Sequence, residues 1–127
     1  MNYKGDCRER ADFRPLFILC PGRSFSSVVC GMLGQHPDLY GLPETNFFVA
    51  DTVGGIFQRF AGQGDRHRTH GLARAIAQLH DGEQTETTVE RAWQWLRDRW
   101  PMTVRELAWH VAALAGGRQG VEKSPSN

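Results

Sequence analysis

The stretch LFILCPGRSFSSVVCGML, residues 16–33, constrains the fold more than any other part of the chain. It begins with the continuous apolar run Leu16–Cys20, which is typical of a strand buried on both faces of a parallel sheet. The residues after Ser26 indicate a short helix that ends at Gly34, before His36-Pro37, because proline disfavours helix in the residue that precedes it. A strand that enters a helix through a short polar loop predicts an α/β fold.

The rest of the chain predicts two more strands with a helical region between them. Residues 38–42 read as a second short strand, and residues 120–122 as a third. Thr103 is expected to cap the last helix, and residues 61–71 are expected to form a loop. Apolar residues recur at helical spacing in four segments, at Val49, Val53, Ile56, Phe57 and Phe60, at Leu72, Ile76 and Leu79, at Val89, Trp93, Leu96 and Trp100, and at Leu107, Val111 and Leu114.

Composition restricts the class of protein without naming a partner. The 127 residues carry a net charge of +1, so charge alone gives no reason to expect nucleic acid or an anionic membrane. No apolar stretch approaches the roughly 20 residues that a membrane span requires, and the charged N-terminus lacks the apolar core of a signal peptide. Cys7, Cys20 and Cys30 are an odd number without metal-like spacing. A reduced, cytoplasmic protein is therefore expected, with residues 1–14 as an extension before a domain of residues 15–127.

The loop CPGRSFSS, residues 20–27, has the chemistry of an anion site. The first backbone N–H groups of a helix converge after such a loop, and the helix dipole favours an anion there. Hydroxyl groups of Ser24, Ser26 and Ser27 add donors, and Arg23 adds a fixed charge. Alternatively, Ser24 or Ser26 merely caps the helix. The loop is not a Walker A motif, because residues 20–34 contain no lysine, which argues against an ordinary ATPase or GTPase.

Two segments together resemble a known family. PGRSFSSVVCGMLGQHPDLYGLPETNFF looks like the start of the sulfotransferases that use 3′-phosphoadenosine-5′-phosphosulfate (PAPS), and GVEKSPS is similar to an EKSP-type segment on a later strand of several members. The two motifs stand in the right order at the two ends of the chain. The resemblance implies a parallel sheet with a start like that of P-loop NTPases and a helical excursion, PAPS as sulfuryl donor, and no metal.

The resemblance also implies roles for individual residues. Arg23 matches a loop position that contacts the 5′-phosphosulfate, and backbone N–H groups of residues 24–27 would hold the 5′-phosphate, aided by Ser26 and Ser27. Glu44 matches a general base, and Lys123 matches a lysine that positions the sulfuryl group, with Ser124 beside it. Without the resemblance, Glu44 would be read as an acid in the first turn of the next helix and Lys123 as a solvated strand-end lysine.

Phe25 departs from the family pattern, which usually has glycine at this position. Glycine there would allow a positive φ or a close approach of the backbone to phosphate. Since the flanking pattern is otherwise intact, we expect Phe25 to keep a negative φ and to turn its ring into the core.

Tryptophan and histidine residues give weaker predictions. Trp93 and Trp100 lie on the inward stripe of a helix and are expected in the core, whereas Trp95 and Trp109 lie off their stripes and are expected to line a cleft. His67 and His70 have a loose metal-like spacing, but no third ligand accompanies them, and no zinc site is predicted.

The resemblance further implies that the family's 3′-phosphate site follows the EKSP-type segment. We therefore expect this chain to be the N-terminal portion of a sulfotransferase-like domain, with impaired transfer and weak cofactor binding. The acceptor is expected to be a small molecule, a glycan or a lipid that offers a hydroxyl or amine, and no nucleic acid or membrane span is expected. A non-catalytic helical interaction domain with a vestigial anion-binding loop is the alternative.

Overall fold

The structure, a computed structural model, describes residues 14–21, 23–62 and 66–123. Within these residues the chain forms three short strands and five α-helices, with 3₁₀ turns at Phe47–Val49 and Arg66–Thr69. In chain order the strands and α-helices are β1 (Leu16–Phe17), α1 (Ser26–Leu33), β2 (Leu39–Gly41), α2 (Val53–Arg59), α3 (His70–Asp81), α4 (Glu86–Arg97), α5 (Val104–Leu114) and β3 (Gln119–Glu122).

The three strands form one parallel sheet in the order β1-β3-β2. Leu16 of β1 pairs with Val121, and Leu39 of β2 pairs with Gln119, so the last strand in sequence lies in the middle. The predicted α/β fold with a parallel sheet and a helical excursion is confirmed. The prediction that the first strand is buried on both faces is wrong, because Leu16 and Phe17 are both exposed and β3 is the one described strand beside them.

The helices begin where the sequence supplies caps. The Thr103 hydroxyl accepts a hydrogen bond from the Glu106 amide at 3.2 Å, and the Glu106 carboxylate accepts one from the Thr103 amide at 2.8 Å. This capping box confirms the predicted start of α5, and such a cap stabilises a helix by about 1 kcal/mol. Thr85 and Thr88 form the corresponding box at the start of α4. Helix α3 ends at Gly82, which adopts the left-handed conformation that ends many helices.

The main core lies in the helical region, where α3 packs against α4 and α5. Its fully buried large side chains include Phe47, Ile56, Leu72, Ile76, Leu96 and Leu107. The predicted loop at 61–71 is too long, because a 3₁₀ turn occupies Arg66–Thr69 and α3 begins at His70. Helix α1 packs separately on the sheet, through Ser26 and Cys30.

Candidate functional site

The predicted site residues all follow the carboxyl ends of the strands, at one end of the parallel sheet. Strand β1 leads into the loop before α1, β2 leads into the segment Leu42–Asn46, and β3 leads directly to Lys123. A further backbone hydrogen bond of 2.9 Å, from the Ile18 amide to the Glu122 carbonyl, extends the β1–β3 pairing to the start of the loop. In open parallel sheets, ligands bind beside the carboxyl ends of the strands.

The loop before α1 has the backbone geometry of an anion cradle. Arg23 and Phe25 have positive φ angles of 57° and 61°, whereas Ser24 between them does not. Alternation of left-handed and other conformations turns successive N–H groups toward one side, which forms a concavity that suits an anion. The Ser24 hydroxyl donates a 2.7 Å hydrogen bond to the Pro21 carbonyl, which closes the loop on itself.

Phe25 contradicts our expectation of a negative φ and a buried ring. Its φ is 61° and its side chain is 82% exposed. The left-handed conformation costs a non-glycine residue roughly 1–2 kcal/mol, yet this residue enters α1 as the family's glycine would. The loop therefore keeps the glycine-like backbone despite the phenylalanine, with the ring turned outward.

The structure does not support the alternative that the side chain of Ser24 or Ser26 caps α1. No side chain caps the start of α1, and the hydroxyl of Ser24 is used within the loop. The first N–H groups of a helix have no partner within the helix, but in α1 the Val28 amide already donates to the Phe25 carbonyl at 3.0 Å. Ser26 is buried against the sheet, whereas Arg23 and Ser27 are exposed at the loop.

Glu44 and Lys123 come together at the same end of the sheet. The Lys123 ammonium donates to a Glu44 carboxylate oxygen at 3.3 Å, and the two side chains are 11% and 40% exposed respectively. Lys123 is thus not the solvated lysine of the alternative reading. Glu44 is not an acid in the first turn of a helix either, because the next helical turn begins at Phe47.

A second contact lies directly beside this ion pair and was not foreseen. The Thr45 hydroxyl donates a 2.6 Å hydrogen bond to a carboxylate oxygen of Glu122, and both side chains are almost completely buried. Residues 44 and 45 therefore meet residues 123 and 122 in pairs. Burying a carboxylate is costly unless hydrogen bonds compensate, so this contact ties the segment after β2 to the end of the central strand.

The other side of the same segment is held by the 3₁₀ turn Arg66–Thr69 and by α3. Asn46 has a φ of 53° and donates a 2.8 Å hydrogen bond from its amide to the Arg68 carbonyl. A Cβ atom on Gly71 would overlap the carbonyl group of Glu44, so only glycine allows this approach. Our sequence reasoning missed both contacts. The sequence shows a glycine at the start of a helix, which is an unusual position. It does not show that Glu44 is the residue packed against Gly71, because the tertiary fold determines this contact.

Cys30 lies beneath the site, as its apolar sequence context predicts. Its Sγ atom is 3.4 Å from the Leu42 carbonyl and 3.8 Å from the Val121 carbonyl, which places the middle of α1 against β3 and the residue that follows β2. Burial raises the pKa of the Cys30 thiol, and the negative charge of Glu122 adds to this shift. The buried thiol packs between α1 and the sheet.

An aromatic groove lies between α2 and α4 and contains two of the tryptophans. The groove encloses about 510 Å³ and is lined by Phe57, Phe60, His70, Trp93 and Trp100 among others. Phe57 stacks on Trp100 with ring centroids 5.4 Å apart. Trp100, expected in the core, is instead exposed at this groove. Trp93 also lines the groove, but its partly buried side chain packs against the core. Trp95, expected in a cleft, instead stacks on His110.

His36 takes part in a turn of the backbone. His36 accepts a 3.1 Å hydrogen bond from the Asp38 amide within the turn after α1. Among residues 14–21, 23–62 and 66–123, no group of three His, Cys, Asp or Glu side chains is placed to hold a metal ion. In the same part of the chain, none of the helices has the length and apolar character needed to cross a bilayer. Ser124 lies outside the described residues.

One comparison with known proteins gives a match. No protein-family model matches the chain, and no curated protein matches it significantly. A solved structure, the sulfotransferase domain from the Synechococcus PCC 7002 olefin synthase, is similar with a TM-score of 0.71 and 30% sequence identity. The match covers 89% of this chain and 39% of that chain. The fold is therefore sulfotransferase-like, and the chain spans less than half the length of the sulfotransferase domain that it matches.

Proposed function

We propose that this chain binds the phosphosulfate end of PAPS and takes part in sulfuryl transfer to a hydroxyl or amine. The observation that carries the proposal is that three segments with suitable chemistry follow the carboxyl ends of the three strands of one parallel sheet. The alternating loop at Arg23–Phe25 and the Glu44–Lys123 pair all follow strand ends of the same parallel sheet. Similarity to a sulfotransferase domain supports the same reaction class.

The loop fits a phosphate or sulfate group. N–H groups of residues 24–27, the guanidinium of Arg23 and the hydroxyl of Ser27 would hold the anion, since charge-assisted hydrogen bonds of this kind are the strong ones. The buried hydroxyl of Ser26 would support the start of α1 from the sheet side. When bound, PAPS would supply the sulfuryl group.

Lys123 and Glu44 would have separate roles in the transfer step. The Lys123 ammonium stabilises negative charge that accumulates during transfer, an electrostatic effect that is strongest where water is excluded. Its side chain is largely shielded from solvent, whereas the Glu44 side chain is more open. Glu44 accepts the proton that the acceptor hydroxyl or amine loses as it attacks. A bound anion beside Lys123 would compete for its ammonium and so release Glu44.

A non-catalytic interaction domain with a vestigial loop is the second candidate. The observation that favours it is Phe25, a bulky residue in a left-handed conformation that glycine adopts at lower cost. Its exposed ring stands at the entrance of α1, where the cradle is proposed.

The test compares anion binding with transfer. Equilibrium dialysis with radiolabelled PAPS is done on the chain and on its Arg23→Ala and Arg59→Ala variants. Arg59 is an exposed arginine at the end of α2, away from the loop, and serves as the matched control. We expect Arg23→Ala to weaken binding at least tenfold and Arg59→Ala to leave it unchanged. Equal binding by both variants would refute the cradle, and binding without any transfer to a panel of hydroxyl and amine acceptors would favour the second candidate.

A further inference from the structure

Two buried polar side chains beside the candidate site have no part in the proposed transfer step. Thr45 is 0% and Glu122 is 1% exposed, and the Thr45 hydroxyl donates a 2.6 Å hydrogen bond to the Glu122 carboxylate. Glutamate is almost never buried this deeply without a partner. Replacing both partners of a buried hydrogen bond by apolar groups of the same shape can leave stability nearly unchanged. Stability alone therefore does not explain why this pair is polar.

The neighbouring residues form the outer pair of the same double contact. Glu44 and Lys123 lie 3.3 Å apart, and their side chains are 40% and 11% exposed. An ion pair with one partner this open to solvent gains little energy, and side-chain entropy opposes a fixed geometry. The inner pair is dry, and a hydrogen bond is stronger in such low-dielectric surroundings. This order of strengths indicates that the inner pair sets the geometry and the outer pair follows it.

The backbone connects the two pairs directly. Thr45 follows Glu44 in the chain, and Lys123 follows Glu122. Because a peptide unit is planar and stiff, fixing Thr45 at Glu122 restricts the positions that the two neighbouring residues can take. The close approach of Gly71 to the Glu44 carbonyl group restricts the same backbone from the side of α3. The inner contact is thus the link between this backbone and the residue that precedes Lys123.

We infer that Glu122 is a positioning residue, which acts through the Thr45 hydroxyl to hold the Glu44 carboxylate at the Lys123 ammonium. Its consequence for transfer rests on the proposed function, in which Glu44 accepts the proton of the acceptor. A general base must lie within hydrogen-bond reach of the proton that it takes, and a misplacement of about 1 Å can lower the rate about 10²-fold. The positioning itself is a property of the folded chain and does not depend on that reaction.

The first experiment removes the inner hydrogen bond and keeps the packing. In the double variant Thr45→Val/Glu122→Leu, apolar side chains of similar shape replace both partners, so we expect the chain to stay folded. Nuclear Overhauser contacts between the side chains of Glu44 and Lys123 report the outer pair. We expect these contacts in the unaltered chain and in Thr45→Ser, which keeps the hydroxyl. We expect them to disappear in the double variant.

A control and a milder variant make this result specific. Thr87→Val/Glu83→Leu changes an exposed threonine on α4 and an exposed glutamate before it, and should keep the Overhauser contacts. Glu122→Asp keeps the charge but withdraws the carboxylate by one methylene, so the contacts should weaken in it as well. This single variant decides the question if the double variant does not fold. A hydrogen bond that only stabilises the chain would lower the urea midpoint without changing the contacts.

Sulfuryl transfer gives a second readout. We expect the double variant to lower kcat by up to about 10²-fold with an unchanged KM for PAPS, and Thr45→Ser to keep kcat. A chain that transfers no sulfuryl group would contradict the proposed function, and the Overhauser contacts would still decide the positioning. Contacts between Glu44 and Lys123 that persist without the inner hydrogen bond would overturn the inference. Their loss in the control would do the same.

Discussion

The carboxylate of Glu44 and the ammonium of Lys123 lie 3.3 Å apart although 79 positions separate them in sequence. Thr45 and Glu122, the adjacent residues, make a second contact of 2.6 Å. Two adjacent residues after β2 therefore contact two adjacent residues at the end of β3 through their side chains. This double contact makes the position of Glu44 dependent on the central strand and provides the first set of tests.

Glu44→Gln tests the proposed proton acceptor. Glutamine keeps the size of the side chain but cannot accept the proton, so we expect kcat with PAPS to fall by about 10²–10⁴, the usual contribution of general base catalysis. Glu83→Gln, at an exposed acid before α4, is the control and should keep full activity. An unchanged kcat for Glu44→Gln would remove this residue from the mechanism.

Gly71→Ala tests the close approach of α3 to Glu44. Because the added Cβ would overlap the Glu44 carbonyl group, we expect a loss of about 1–3 kcal/mol of unfolding free energy. Gly31→Ala is the matched control, because nothing lies within 4 Å of its Cβ position on α1. That variant should gain up to about 1 kcal/mol from helix propensity. Urea denaturation measures both, and equal effects would mean that α3 does not hold the Glu44 segment.

Thr45→Val tests the hydrogen bond to the buried Glu122 carboxylate. Valine preserves the shape of threonine but removes the donor, which we expect to cost about 1–3 kcal/mol because a buried charged acceptor loses a partner. Thr87→Val, at an exposed position on α4, is the control and should change stability by less than about 0.5 kcal/mol. If the two variants unfold at the same urea concentration, the contact is not stabilising.

Phe25→Gly and Phe25→Ala together test the left-handed entrance to α1. Neither variant loses buried surface, because the ring is exposed. At a φ of 61°, we expect the glycine variant to be more stable than the alanine variant by about 1 kcal/mol. At a negative φ the order is reversed, because alanine restricts the unfolded chain more than glycine does. Thermal unfolding of the pair decides between the two backbones.

A histidine pair between α3 and α5 gives the pH prediction. The Nε2 atoms of His80 and His110 lie 2.8 Å apart, so one ring donates and the other accepts. Burial lowers the pKa of both from the ordinary value of 6.5. Arg99 lowers both pKa values further and His80 lowers that of His110, while Asp81 acts in the opposite direction on His80.

The direction of the pH dependence follows from these lowered pKa values. Below pH 6.5 the unfolded chain takes up protons that the folded pair refuses, so stability is full above that pH and decreases as the pH falls. We expect the urea midpoint to fall between pH 7.5 and pH 5.5, and to fall less in His110→Gln. His36→Gln, at an exposed histidine of the turn after α1, is the control and should keep the slope of the unaltered chain. A slope equal in all three proteins would contradict the pairing.

Local patterns predicted the parts of the fold that local physics decides. The bounds of α1 follow from an apolar run between a polar loop and a glycine, and the start of α5 follows from Thr103 and Glu106. The outward exposure of Val28 and Met32 on α1 did not follow, because periodicity identifies a face without saying what covers it. For the same reason Trp100 was assigned to the core but is exposed at a groove.

The candidate site was predicted only as far as its residue types. Glu44 and Lys123 were singled out by resemblance. Their contact depends on the tertiary fold and cannot be predicted from their spacing in the sequence. Thr45, Glu122 and Gly71 were missed because each acts through a partner distant in sequence. The positive φ of Phe25 was missed because its side chain opposes the conformation that the loop requires.

The central position of β3 has a consequence for the order of assembly. Of the three strands that the structure describes, β3 comes last in sequence, yet β1 and β2 pair with it and not with each other. Contacts between distant segments form late, because loop closure costs entropy before they can stabilise the chain. During synthesis the four helices between β2 and β3 emerge first and can fold on local contacts. Lys123 reaches Glu44 only when that strand is in place, so we expect the Glu44–Lys123 pair to form after these four helices.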